Sequence, residues 1–175
     1  MKKISAKALT QIALLIALEI ILNRFFAIQV PVIRTINFAF LPIAIIAMLH
    51  GPLLAGAAAA VADVLGFYLF PGPWAYFPGF MFSAFVTGVI FGLFLYNSNK
   101  SMVHIVLSVL AVTVAVRLGL NILWLSMMWE EAFIVLLPPR IVAALAMVPI
   151  QVVCIRVAVS ERFILLLGGK PASAD

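Results

Sequence analysis

The sequence predicts an all-α integral membrane protein, a compact bundle of six transmembrane helices, and three observations carry that prediction. Of the 175 residues 66% are hydrophobic, only 10% are charged, and the mean hydropathy is +1.27. A soluble domain is about half apolar and about a quarter charged, so there are too few charges here to clothe a water-facing surface. The apolar residues fall into runs close to the ~20 that a spanning helix needs. Turn residues punctuate the runs and leave only short loops, so 1–175 reads as a single transmembrane domain.

The first span, 8–24, follows a basic start (Lys2, Lys3, Lys7) like the opening of a signal peptide. No convincing small-residue cleavage site follows, so the helix is expected to be retained. Pro31 separates it from the second span, 36–49, which ends at the corner His50-Gly51-Pro52. The third, 52–70, is rich in alanine and stops at Pro71-Gly72-Pro73. The fourth, 78–97, ends in Asn97-Ser98-Asn99-Lys100, the fifth covers 101–126, and Trp129-Glu130-Glu131 precedes the last, 133–159. Pro42, Pro78 and Pro149 fall in or near helices, which membrane helices accommodate better than soluble ones.

Basic residues near span ends set the orientation. With the N-terminus inside, the inner face carries Lys2, Lys3, Lys7, Lys100, Arg156, Arg162 and Lys170, and the outer face Arg24, Arg34 and the acidic pair Glu130 and Glu131. An N-in, C-in topology therefore accounts for the net charge of +5, with no basic stripe of the kind that binds nucleic acid. The lone Cys154 cannot form an intrachain disulfide and says nothing of redox compartment.

Depth is the most informative quantity. At ~1.5 Å per residue from the inner ends, Asp63 lies near mid-membrane, while Glu19, Arg117 and Asn121 lie in the outer half, as do Asn37 and Arg140 at the starts of descending spans. Trp74, Tyr76, Trp124 and Trp129 gather at the same end, under loops 25–35, 71–77 and 127–132. Ionisable groups inside a membrane are costly and mark a partner or a cavity.

Arg117, Asn121 and Trp124 share one helix face by their spacing, a cation, an amide and a ring suited to a flat, polar-edged, partly anionic ligand. The competing reading pairs Arg117 with Asp63 or Glu19 across helices. Asp63 sits in the small-residue stretch Ala57–Gly66, where helices approach closely. Its carboxylate suits an amino-substituted heterocycle by a bidentate contact, or else a helix–helix pair or proton relay. Arg34 and Arg140 suit a ligand carboxylate or snorkel to the interface. Trp74, Tyr76 and Trp129 are belt anchors or ligand stackers, and the aromatic loop Phe70–Phe80 suits a lid. On the first helix Ala6, Ala13 and Ala17 form a stripe of small residues for packing within the chain or against a partner, with Glu19 pointing elsewhere.

Catalysis finds no support. His50 and His104 lie toward the inner face, away from the polar groups, and no metal-ligand spacing, nucleophile elbow, zincin or phosphate-loop motif occurs. With no ATP site, active transport needs energy from outside this chain.

Several segments together resemble one family. They are Arg34–Ile43, Gly51-Pro52, Ala62-Asp63, Gly66, Phe77–Phe80, Ser83-Ala84, Gly88, Gly92–Tyr96, Asn121–Leu125, Leu137–Arg140 and Pro149–Gln151. In order and spacing they look like the folate group of energy-coupling factor (ECF) transporter S components, over roughly residues 5–155. The resemblance implies a six-helix subunit of a bacterial plasma membrane with a vitamin site near the outer surface. It also implies a transmembrane coupling protein and two cytoplasmic ATPases that consume the ATP, no cofactor bound by this chain, and toppling of the subunit during delivery. Ala13 and Ala17 match the family's Ala-x-x-x-Ala docking motif. For folate, the expected contacts are Asp63, Asn121 or Asn37 on the ring, Trp124 and Phe80 by stacking, and Arg34, Arg117 or Arg140 on carboxylates. An S component for thiamine, a pyrimidine precursor or pantothenate remains a reading, as do an intramembrane enzyme and a channel.

Overall fold

The computed structural model describes residues 5–26, 37–71, 75–98, 101–129 and 132–159. Within them the chain forms six helices and no strand: α1 (Ala6–Phe25), α2 (Phe40–His50), α3 (Pro52–Leu69), α4 (Pro78–Leu95), α5 (Met102–Trp129) and α6 (Phe133–Ala158). All but α2 are apolar and long enough to cross a bilayer, at 18 to 28 residues. The helices alternate in direction, so α1, α3 and α5 start at one end, called the base below, and finish at the other, the mouth.

The second helix departs from expectation. It starts at Phe40 rather than near 36 and has 11 residues, or ~16 Å of length, too short to span a ~30 Å hydrocarbon core. Pro42 is the physical reason. A proline lacks the N–H that an interior position needs but fits the first turn, so the helix cannot begin a full turn earlier. Instead of facing lipid, α2 is buried along Phe40 and Pro42–Met48 and touches α1, α3, α4 and α6. A helix apolar on every side finds its solvent in the other helices.

The corner after it follows the sequence. Gly51 adopts φ +88°, where a side chain is strained, and Pro52 opens α3 at a position that needs no N–H donor. Small residues then join α3 to α4. A Cβ on Gly88 would strike the backbone of Ala55, and one on Gly92 the backbone of Pro52, so the two helices meet backbone to backbone.

A second difference lies in α5. Residues Val112–Leu120 wind as a π-helix, and the Asn121 N–H bonds back to the Val116 carbonyl, five residues away. Periodicity gave no sign of it. Such turns are rare and concentrate at functional positions.

On α1, Ile12, Leu15, Glu19 and Ile20 face the bundle, whereas Ala13, Leu14, Ala17 and Leu18 are exposed. The main core lies toward the base, around α2, Phe91, Leu95, Ile105, Val109 and Ile155. Toward the mouth that apolar packing gives way to the polar groups.

Candidate ligand-binding cavity

Two cavities of about 230 Å³ each lie above that apolar core, sharing Asp63 and Phe80. The inner one draws a polar side chain from every helix or its edge: Glu19 and Asn23 from α1, Asn37 ahead of α2, Asp63 from α3, Ser83 and Thr87 from α4, Arg117 and Asn121 from α5, Gln151 from α6. Its floor is apolar, made by Ile43, Ala59, Phe91 and Val112. The outer cavity is lined by Arg24, Phe67, Tyr76, Phe77, Phe80 and Trp129, with Leu125 and Met128.

A relay of hydrogen bonds fixes one wall. Asn37 Nδ2 donates to Asn23 Oδ1 at 3.2 Å, and Asn23 Nδ2 donates to Glu19 Oε1 at 3.3 Å. The i, i+4 spacing of Glu19 and Asn23 puts both on one face of α1. The relay occupies only one carboxylate oxygen. Glu19 Oε2 is buried with no partner, as are Asn121 Oδ1 and both amide atoms of Gln151. Buried polar atoms are nearly always hydrogen-bonded, so an unpaired set around one cavity points to a ligand that completes them.

The cation near the carboxylates differs from expectation. Arg24 lies within electrostatic reach of both Glu19 and Asp63. Its guanidinium also rests over Gly66, where an added Cβ would sit 3.7 Å from Nε. Among the described residues Arg117 has no carboxylate within such reach. The pairing of Arg117 with Asp63 or Glu19, the competing sequence reading, is therefore not what the structure contains, and Arg117 faces the inner cavity instead.

Aromatic rings form the outer wall. Tyr76 packs on Phe67 at 5.0 Å between centroids and on Tyr68 at 5.8 Å. Its hydroxyl is buried without a partner. That burial, reinforced by Asp63 and Tyr68, holds the phenol above its ordinary pKa, so it stays a hydrogen-bond donor at neutral pH. Phe77 packs on Trp124 at 5.7 Å and on Phe80 at 6.1 Å. Trp124 Nε1 donates to Ser83 Oγ at 3.0 Å. Gly79 makes this cluster possible, since a Cβ there would collide with the Phe77 ring and fall 2.6 Å from Trp124 Cδ2.

Of the residues expected at the site, Asn37, Asp63, Phe80, Arg117 and Asn121 line the inner cavity, and Tyr76 lines the outer one. Trp124 lines neither cavity and stands behind the wall, bracing Ser83 and Phe77. Arg140, half-buried in α6, is likewise not among the residues lining either cavity. Arg34 and Trp74 lie outside the described residues. Expectation left out Asn23, Arg24, Ser83, Thr87 and Gln151, and gave Glu19 no ligand role. The spacings Glu19/Asn23 and Ser83/Thr87 were visible signals, each one helical turn apart in an apolar run.

Residues 7–159 match the family model described as "ECF transporter, substrate-specific component". The folate transporter FolT of Clostridium novyi (strain NT) is 44% identical over 155 residues, covering 89% of this chain and 88% of its own. The folate transporter FolT of Leuconostoc mesenteroides is 33% identical over 156 residues, 86% of this chain and 83% of its own. A crystal structure of FolT bound with folic acid superposes with a TM-score of 0.78 at 38% identity, covering 86% of this chain and 89% of that one.

Proposed function

This chain belongs to the substrate-specific components of ECF transporters, and from that premise we propose that it captures folate at the outer face of a bacterial plasma membrane and hands it inward. The relatives are named as transporters, not enzymes. One observation carries the choice of ligand: the inner cavity presents Glu19 Oε2 and Asn121 Oδ1 as unpaired acceptors beside Asp63. A pterin offers two adjacent donors, the 2-amino group and N3–H, and a carboxylate takes such a pair in a bidentate contact. The folic acid in a structurally similar protein supports the same choice.

In this reading the ring enters the inner cavity and lies against Phe80, with Asn37 and Arg117 at its edges. The tail passes Phe80 into the outer cavity, where Arg24 and the rings of Tyr76 and Phe77 receive the benzoyl-glutamate. Arg117 and Arg24 supply the positive charge that a dianionic tail and a ring carbonyl require.

Delivery needs partners. With the N-terminus inside, the exposed Ala13 and Ala17 lie on the opposite side of α1 from Glu19. That smooth stripe suits close approach by a helix of a transmembrane coupling protein, and two cytoplasmic ATPases supply the energy. Titrating the detergent-purified chain with folic acid, thiamine, pantothenate and riboflavin tests the ligand. Saturable quenching of Trp129, at the wall of the outer cavity, is expected with folic acid alone. A response to a different vitamin would keep the transporter and discard folate.

A further inference from the structure

Building on the folate reading, we propose that Gln151 is a specificity-determining residue whose carboxamide reads the innermost edge of the heterocycle. Its side chain is 0% exposed, lines the inner cavity, and leaves both Nε2 and Oε1 without a partner. An amide sealed in this way with neither end paired is rare in native structures.

Position makes it the last polar group a ligand meets. Measured along the helices from the base, Gln151 stands ~10 Å up α6, Asp63 ~16 Å up α3 and Glu19 ~20 Å up α1. Of its neighbours on the cavity wall near that depth, Ile43 and Phe91 have no polar side-chain atoms, and Thr87 already donates its hydroxyl to the Ser83 carbonyl at 2.9 Å. The amide that is left to meet the deepest edge of the ligand belongs to Gln151.

The chemistry of the two ends decides what that edge is. A pterin carries its tail at C6, diagonally across the fused ring from C2. A tail running to the outer cavity therefore sends the 2-amino group inward. That group has one hydrogen beside N3–H and one beside N1. The donor–donor side, 2-NH₂ with N3–H, complements a carboxylate. The donor–acceptor side, 2-NH₂ with N1, complements a carboxamide, with Oε1 accepting from the amino group and Nε2 donating to N1. Glu19 or Asp63 and Gln151 thus divide the two sides of the same amino group between them.

A double-mutant cycle between protein and ligand tests this. Dissociation constants are measured on the full chain in detergent, wild type and Gln151→Met, for folic acid and for the analogue lacking the 2-amino group. The substitution should weaken folic acid about tenfold and the 2-desamino analogue less than about twofold, a coupling of ~1 kcal/mol between side chain and amino group. Equal losses for both ligands, or no loss for either, would overturn the assignment while leaving folate binding by the wild type intact. Failure of the wild type to bind folic acid would instead remove the folate reading and this inference with it. Should Gln151→Met not fold, Gln151→Asn, which keeps the amide but shortens its reach, must show the same selectivity.

Discussion

Replacing Gly79 with alanine adds one methyl group to the chain and should disturb the whole aromatic wall. The new Cβ would lie 2.6 Å from Trp124 Cδ2 and closer still to the Phe77 ring. An unstrained carbon–carbon contact is ~3.5–4.0 Å, so the indole must retreat by about 1 Å. Overpacking of this kind costs ~1–3 kcal/mol. The retreat also lengthens the Trp124–Ser83 hydrogen bond from its present 3.0 Å beyond useful range, which removes ~1 kcal/mol more. The sum is a loss of ~2–4 kcal/mol in stability. Phe77, packed at a tilt against Trp124 and lining the outer cavity, is displaced with it. Folate affinity should then fall by about tenfold, the equivalent of ~1.4 kcal/mol. The assay is a ligand titration of the purified variant, read beside its thermal melt and its tryptophan emission. Wild-type affinity, melting and emission together would show that Gly79 does not seat this cluster.

Other substitutions probe separate parts of the molecule. Arg117→Ala should weaken folic acid by ~1.5–3 kcal/mol if a charged hydrogen bond is lost, and an unchanged dissociation constant would remove Arg117 from the site. Asn23→Leu breaks both links of the relay to Glu19 and Asn37; affinity should drop severalfold, and equal affinity in a folded variant would show the relay to be dispensable. Gly92→Leu forces a side chain into the backbone of Pro52, so the variant should lose its monodisperse peak in size-exclusion chromatography. Ala17→Trp roughens an exposed stripe far from the cavity; it should abolish uptake by cells while leaving folic acid binding within about twofold, whereas normal uptake would locate the docking face elsewhere.

The bundle was legible because hydropathy and punctuation act over whole segments: five spans lie within a few residues of the helices observed. The start of α2 was misjudged where one residue, Pro42, overrides the apolar run around it. The convergence of Asn37, Asp63, Arg117 and Asn121 could be read from depth alone, since short loops leave little freedom in how far a residue lies from its helix end. Azimuth is harder. Trp124 shares a helix face with Arg117 and Asn121, yet its indole is held back by Ser83 and Phe77, and Arg140 lines neither cavity. Gln151 looked ordinary because one amide in an apolar run carries no pattern; only the closure of other helices around it reveals that it has no partner.

The π-wound stretch of α5 has a consequence for how such a site can change. From Val112 to Leu120 the winding holds surplus residues relative to an α-helix, so the segment that follows is out of phase with the one before it. Deleting one exposed residue there, such as Val114, would let the coil tighten toward an α-helix and absorb the loss, so that Asn121 keeps its place on the cavity wall. The same deletion in the α-wound stretch Met102–Ala111 has no surplus to draw on and would turn everything beyond it by about 100°. The wide coil is thus the place in α5 where the chain can lose a residue without disturbing the ligand.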